Sequence, residues 1–213
     1  VTFEGARRRL VAAVASAHGV GNPRVLEALG RVPRHLFVDE ALHARAYTDD
    51  ALPIGYGQTI SKPSTVARMT AALDPAPGDR VLEVGTGSGY QAAVLACLGV
   101  RLYSVERLPA LALRARHALT RVGAYGVSVR PGDGALGWPE EAPFRGILVT
   151  AAAPRVPRTL LEQLEVGGRL VAPVAGEDGQ SLRRIARTGP ETWEEEVLEP
   201  CRFVPLVAGG SRG

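Results

Sequence analysis

The apolar run Val81-Leu82-Glu83-Val84 passes directly into Gly85-Thr86-Gly87-Ser88-Gly89, and Tyr90 opens a stretch of helix-forming residues. Few folds need three alternate glycines between a strand and a helix. Such glycines allow a tight turn and let a ligand lie against bare backbone. In open α/β sheets that loop sits at the carboxyl ends of the strands, where ligands bind. The pattern then repeats. Strands are expected at residues 80–84, 101–105, 127–130, 146–150 and 169–174, and helices at 90–98, 110–122 and 158–164, the last stopped by Gly167-Gly168. This alternation predicts a doubly wound, mostly parallel Rossmann-like sheet with helices on both faces.

The flanking segments differ. The first 45 residues read as helical, with Asn22-Pro23 supplying cap and first-turn chemistry for a helix to about Leu29. Residues 34–46 are helical or loop, and 47–63, rich in Gly and Pro, are expected to be irregular. Residues 64–73 form a helix ended by Pro75 and Pro77. Residues 181–188, 193–198 and 202–207 read as three further strands with an antiparallel edge. The expectation is a single domain over 1–213. Residues 1–77 would be a helical extension with an active-site loop, 78–175 a cofactor-binding core, and 176–213 the closing strands.

Two cofactor classes use such a loop. Dinucleotide sites have G-x-G-x-x-G and place a pyrophosphate at the helix N-terminus. Here the spacing is G-x-G-x-G, preceded by acidic Glu83, which would repel a pyrophosphate but suit a cation or an amino group. Glu106 closes the next strand, 21 residues after Gly85, where a carboxylate can bind both ribose hydroxyls. S-adenosylmethionine, with a sulfonium, an ammonium and no phosphate, fits better than NAD. An NAD-binding oxidoreductase and a ligand-free structural turn are the competing readings.

Composition excludes other classes. With 213 residues, 46% hydrophobic and 22% charged, the chain can bury a core without disulfides. No apolar run approaches a membrane span. Cys97 and Cys201 make neither a disulfide framework nor a metal site, and His18, His35, His43 and His117 lack metal-ligand spacing, so no metal is expected. Ser88 is not in a hydrolase elbow, and no phosphate-binding P-loop is present. The net charge is +3, carried by the first 45 residues, and aromatics are only 5%, which argues against a nucleic-acid partner. Of 25 basic residues only Lys62 is a lysine, and Asn22 is the single asparagine. That bias points to a GC-rich genome or a hot habitat. Arg7-Arg8-Arg9 followed by 10–14 and Ala15-Ser16-Ala17 imitates a signal peptide, but Leu10, Val11 and Val14 fit an amphipathic helix better. A cytoplasmic monomer with no membrane partner is expected.

Several stretches together resemble the protein-L-isoaspartate O-methyltransferase family. They are Arg31-Val32-Pro33-Arg34-His35-Leu36-Phe37-Val38, Tyr47, the loop 52–63 containing Gln58-Thr59-Ile60-Ser61-Lys62-Pro63, and the glycine loop. Downstream they continue with Gly132-Asp133-Gly134, Gly137-Trp138, Ala142-Pro143-Phe144, Thr150-Ala151-Ala152-Ala153-Pro154, Gln163-Leu164, 167–171 and Phe203-Val204-Pro205-Leu206. The loop ahead of the glycines narrows the resemblance from a methyltransferase superfamily to this family.

The resemblance implies the class I S-adenosylmethionine-dependent methyltransferase fold. It implies methyl transfer from S-adenosylmethionine to the free α-carboxylate of L-isoaspartyl residues in damaged proteins and peptides, leaving S-adenosyl-L-homocysteine. Ser61 corresponds to the family's active-site serine. Cofactor contacts are implied for Gln58, Thr59, Ile60, Ser61, Glu83, Gly85, Thr86, Gly87, Gly89, Glu106, Arg107, Asp133 and Gly134, with Glu106 on the ribose and Asp133-Gly134 beside the adenine. Substrate contacts are implied for Ile54, Thr59, Ser61, Val204, Pro205, Leu206 and Val207. The chain departs from the family pattern at Arg145, usually acidic, at Val207, often threonine, and at Ser64, often aromatic or histidine. A methyltransferase for RNA or a small molecule, and a non-catalytic adaptor, are the alternatives on this fold.

Overall fold

The structure is a computed structural model describing residues 3–207 and 209; the other terminal residues, including the end of the 176–213 segment, lie outside the described residues. Helix α1 (Glu4–Ala17) buries Leu10 and Val14, as its amphipathic spacing requires. Helix α2 (Pro23–Arg31) starts where Asn22 accepts hydrogen bonds from the Arg24 and Val25 backbone N–H groups, at 3.1 and 3.4 Å. Two short 3-10 turns follow, Arg34–Phe37 and Glu40–Arg45.

The expectation of an irregular 47–63 segment fails. Strands β1 (Leu52–Gly55) and β2 (Gln58–Ile60) form an antiparallel hairpin. Its two-residue turn, Tyr56-Gly57, has φ values of 55° and 67°. Two positive φ values make the primed turn geometry that matches strand twist. Tyrosine in place of the usual Asn or Asp hides that signal. Helix α3 (Pro63–Leu73) follows, and Asp49 caps it from outside, accepting from the Ser64 backbone N–H at 2.8 Å and its hydroxyl at 2.7 Å.

The core alternates as expected: β3 (Arg80–Val84), α4 (Tyr90–Cys97), β4 (Arg101–Glu106), α5 (Pro109–Arg121), β5 (Val127–Pro131), β6 (Phe144–Val149), α6 (Arg158–Glu162) and β7 (Leu164–Gly176). Strands β8 (Gly179–Gly189) and β9 (Thr192–Cys201) close the sheet antiparallel. The seven-stranded order is β5-β4-β3-β6-β7-β8-β9, parallel through β7. Successive side chains of β3 serve opposite faces. Val81 joins the cluster that includes α1 to α4, while Leu82 and Val84 join one built on β6, β7 and α6.

Two further expectations are corrected. Gly167-Gly168 does not stop α6, which ends at Glu162; both glycines lie in β7, where pairing with β6 jumps from Phe144↔Leu164 to Gly146↔Arg169. The glycines accommodate a bulge. Residues 202–207 make no ladder strand. Their one pairing is a parallel bridge, Ala152↔Pro205, flanked by hydrogen bonds from Ala152 N–H to the Val204 carbonyl and from Leu206 N–H to the Ala152 carbonyl. Pro205 has no N–H with which to extend it.

Candidate active site

The sheet's order reverses between β3 and β6, and that switch point is where open α/β sheets bind ligands. A cavity of about 330 Å³ opens there. Gly85 leaves β3 with φ 95°, and a Cβ on it would fall 2.3 Å from the Thr150 Oγ1 at the end of β6. That hydroxyl donates to the Gly85 carbonyl at 2.7 Å and the Val84 carbonyl at 3.0 Å, tying the two strand ends together. Gly134 approaches as closely on another side, since a Cβ there would meet Val84 Cγ1 at 2.4 Å.

Glu106, buried at the end of β4, faces the loop. Its Oε2 accepts from the Gly87 N–H at 2.8 Å and its Oε1 from the Leu108 N–H at 3.0 Å. A carboxylate offers about four acceptor positions. Two therefore remain for hydroxyls presented from the cavity.

Glu83 departs from expectation. It does not border the cavity; it is fully buried behind the glycine loop. The Ser104 hydroxyl donates to its Oε2 at 2.5 Å, and the Thr86 hydroxyl lies 2.6 Å from that of Ser104. Its Oε1 has no partner. Burial, reinforced by the negative charge of Glu106 and opposed by the Ser104 hydrogen bond, pushes its pKa up to about 8. At neutral pH it is mostly an uncharged acid, so it supplies no anion to attract a cation.

The remaining expected residues divide. Gln58, Thr59, Ile60, Ser61, Gly85, Thr86, Gly87, Glu106, Arg107 and Gly134 border the cavity, as do Val204, Pro205, Leu206 and Val207, which run along its rim. Gly89 and Asp133 do not. Gly89 (φ 88°) packs against Ala115 and Leu119, where a Cβ would come within 3.3 Å of the Ala115 Cβ. Asp133 accepts from the Ala135 and Gly209 N–H groups, at 2.9 and 2.6 Å. Ile54 is buried beneath Gly87 and borders a separate cleft beside α5.

Sequence reasoning passed over Val66, Met69, Tyr90, Gln91 and Thr150, which also border the cavity. Thr150 directly follows β6, the parallel strand beside the glycine strand, a position that marks it as a ligand contact. Tyr90 is fully buried with burial pushing its pKa up to about 12, and the Arg34 guanidinium stacks 4.8 Å above its ring. Arg34 is itself buried and donates to the Asp50 carbonyl at 3.0 Å. The Arg-Val-Pro-Arg stretch is thus fastened to the first residue of the cofactor-loop helix.

Ser61 has a particular location. It is half-buried, and its hydroxyl makes no hydrogen bond with the described residues. It borders both the first cavity and a second one of about 500 Å³, together with Thr59, Thr150 and Val204.

Comparison with known proteins places this geometry in a family. The family described as protein-L-isoaspartate(D-aspartate) O-methyltransferase matches residues 6–211. A protein-L-isoaspartate O-methyltransferase of Magnetococcus marinus is 58% identical over 204 residues, covering 96% of this chain and 89% of its own. One of Syntrophotalea carbinolica is 55% identical over 202 residues, covering 95% and 93%. A solved protein-L-isoaspartate O-methyltransferase superposes with TM-score 0.86 at 29% identity, over 97% of this chain and 67% of that one. A Plasmodium falciparum protein described by the same activity, solved with S-adenosyl-L-homocysteine, shares the fold with TM-score 0.82 at 23% identity, over 94% and 98%. With the match running nearly end to end, the chain belongs to the protein-L-isoaspartate(D-aspartate) O-methyltransferase family.

Proposed function

We propose that the cavity at the β3–β6 switch point holds S-adenosylmethionine and that the second cavity presents an isoaspartyl α-carboxylate to it past Ser61. The chain is an S-adenosylmethionine-dependent carboxyl methyltransferase acting on L-isoaspartyl residues of damaged proteins and peptides. The observation that carries the site assignment is the free Ser61 hydroxyl at the border of both cavities. RNA and small-molecule acceptors, a silent adaptor and an NAD cofactor give way to family membership.

The residues present suit the cofactor. Gly85 and Gly134 leave room that a Cβ would fill, and Glu106 keeps acceptor positions for ribose hydroxyls. Gly134 and Leu206 would flank the adenine, and Gln58, Thr59 and Ile60 would close the cavity over the reacting end. When bound, S-adenosylmethionine supplies a methyl group made electrophilic by its sulfonium. An α-carboxylate ionises near pH 4, so at neutral pH the acceptor is already a nucleophile and needs no general base. The chain's work is therefore alignment and exclusion of water. Such preorganisation can contribute about 7–11 kcal/mol. Ser61 donates to one carboxylate oxygen and leaves the other to attack; a charge-assisted bond of this kind contributes about 1.5–3 kcal/mol. Val204, with Arg202 and Phe203 before it, forms the wall of the second cavity against which peptide backbone is held extended, while Pro205, Leu206 and Val207 border the first cavity.

A cytoplasmic monomer acting as one domain belongs to the same reading. The single domain is supported by a hydrophobic cluster running from Leu10 through the sheet to Leu182. The deciding experiment is radiolabelled methyl transfer to matched isoaspartyl and aspartyl peptides, counted as base-labile label. Label on the isoaspartyl peptide alone is expected. Label on both, or on neither while S-adenosylhomocysteine still binds, would overturn the acceptor assignment.

A further inference from the structure

The second cavity has an uneven charge. Its border carries Lys62, Arg68 and Arg202 but one acid, Glu199. Glu199 is already engaged: the Arg68 Nε lies 2.8 Å from its Oε1, though off the line of a hydrogen bond, so that pair is electrically closed. Lys62 and Arg202 are exposed, and neither has an ion-pair partner among the described residues. Lys62 directly follows Ser61, and Arg202 lies two residues before Val204, which borders both cavities. Two unneutralised cations therefore stand on the acceptor side of the transfer point. The rest of the chain after residue 45 balances its charges, so this is a local excess and not a reflection of overall basicity.

We propose that Lys62 and Arg202 make this groove selective for isoaspartyl sites with acidic residues at neighbouring positions. The proposal rests on the placement of the acceptor in the second cavity. The mechanism is direct. A flanking Asp or Glu in the groove meets a cation not already paired, whereas a flanking Lys or Arg meets like charge. Because both cations are exposed, their effect is screened by salt and acts on binding more than on the transfer step. The preference therefore resides in KM, with kcat nearly common to all peptides.

The test compares isoaspartyl peptides identical except for flanking Glu, Ala or Lys, assayed with the wild-type chain across a series of salt concentrations. The Glu-flanked peptide is expected to show a KM about fivefold below the Lys-flanked one at low ionic strength, the ratio falling toward one as salt is raised. In the Lys62→Gln, Arg202→Gln double variant the ratio is expected to collapse. A thermal shift with S-adenosylhomocysteine confirms that this variant is folded, and the wild-type salt series tests the proposal without it. Equal KM values, a preference for Lys flanks, or a Glu preference surviving both salt and the double substitution would overturn the proposal while leaving the activity intact. Failure to methylate even the Ala-flanked peptide would instead overturn the acceptor reading beneath it.

Discussion

Replacing Glu83 by Gln should stabilise the protein, and the gain should depend on pH in a defined way. In the folded chain the carboxyl is completely buried, one oxygen unpartnered, with its pKa raised from 4.5 to about 8. A raised carboxyl pKa means that the folded state favours the protonated form. Its contribution to stability is fully present below about pH 4.5 and is lost as pH rises toward about 8. The gap of about 3.5 pH units, at about 1.4 kcal/mol per unit, amounts to about 5 kcal/mol. Glutamine keeps the shape and cannot ionise. The stability difference between Glu83→Gln and wild type should therefore be constant below about pH 4.5, climb by about 1.4 kcal/mol per unit, and level off above about pH 8. Urea unfolding followed across that range measures it, and groups titrating in both proteins cancel in the difference. An offset independent of pH would refute a buried, neutral Glu83. A difference growing toward acid would mean that the carboxyl is held ionised.

Three other outcomes follow from particular contacts. Ser61→Ala should lower kcat about ten- to a hundredfold with S-adenosylhomocysteine affinity nearly unchanged by calorimetry; loss of cofactor binding would make the serine structural. Gly134→Ala drives a Cβ to 2.4 Å from Val84 Cγ1, and overpacking of that kind costs about 1–3 kcal/mol; adding Val84→Ala should return part of it, and strict additivity in the double variant would disprove the clash. Asn22→Ala removes the acceptor for two N–H groups of α2 and should cost about 1 kcal/mol in chemical denaturation, whereas Asn22→Ser should cost little.

The sequence announced what local chemistry dictates. Strand β3 and its glycine loop, the cap at Asn22 and the alternation through β7 all follow from signals within a few residues. The β1–β2 hairpin escaped because Tyr56 takes a positive φ that tyrosine rarely adopts. Gly167-Gly168 read as a helix stop because a bulge and a stop call for the same residue. Glu83 was misjudged for a different reason. Its position in the sequence puts it next to the loop, but its charge is set by burial, Ser104 and Glu106, none of which is encoded nearby. The second cavity was beyond reach altogether, since its border joins residues 51–68 to Thr150, Leu182 and 199–204.

With Glu83 neutral, its charge no longer explains why the loop should prefer S-adenosylmethionine to a dinucleotide. The hydrogen bonds supply another reason. A pyrophosphate at a helix start depends on free backbone N–H groups directed at it. Here the Gly85 N–H donates to the Val105 carbonyl at 2.8 Å, the Gly89 N–H to the Thr86 carbonyl at 2.9 Å, and the Tyr90 N–H to the Ser88 hydroxyl at 3.3 Å. The Gly87 N–H is given to the Glu106 carboxylate. A dinucleotide would have to displace that carboxylate or approach it as a like charge, whereas a ribose with neutral hydroxyls can use its remaining acceptor positions. Glu106→Gln should accordingly weaken S-adenosylhomocysteine binding, by about 1.5–3 kcal/mol for hydrogen bonds to a charged group, and strengthen NAD binding relative to wild type, for which none should be detectable. Tight NAD binding by wild type would show that these N–H groups are freed in solution and that the loop does not select against phosphate.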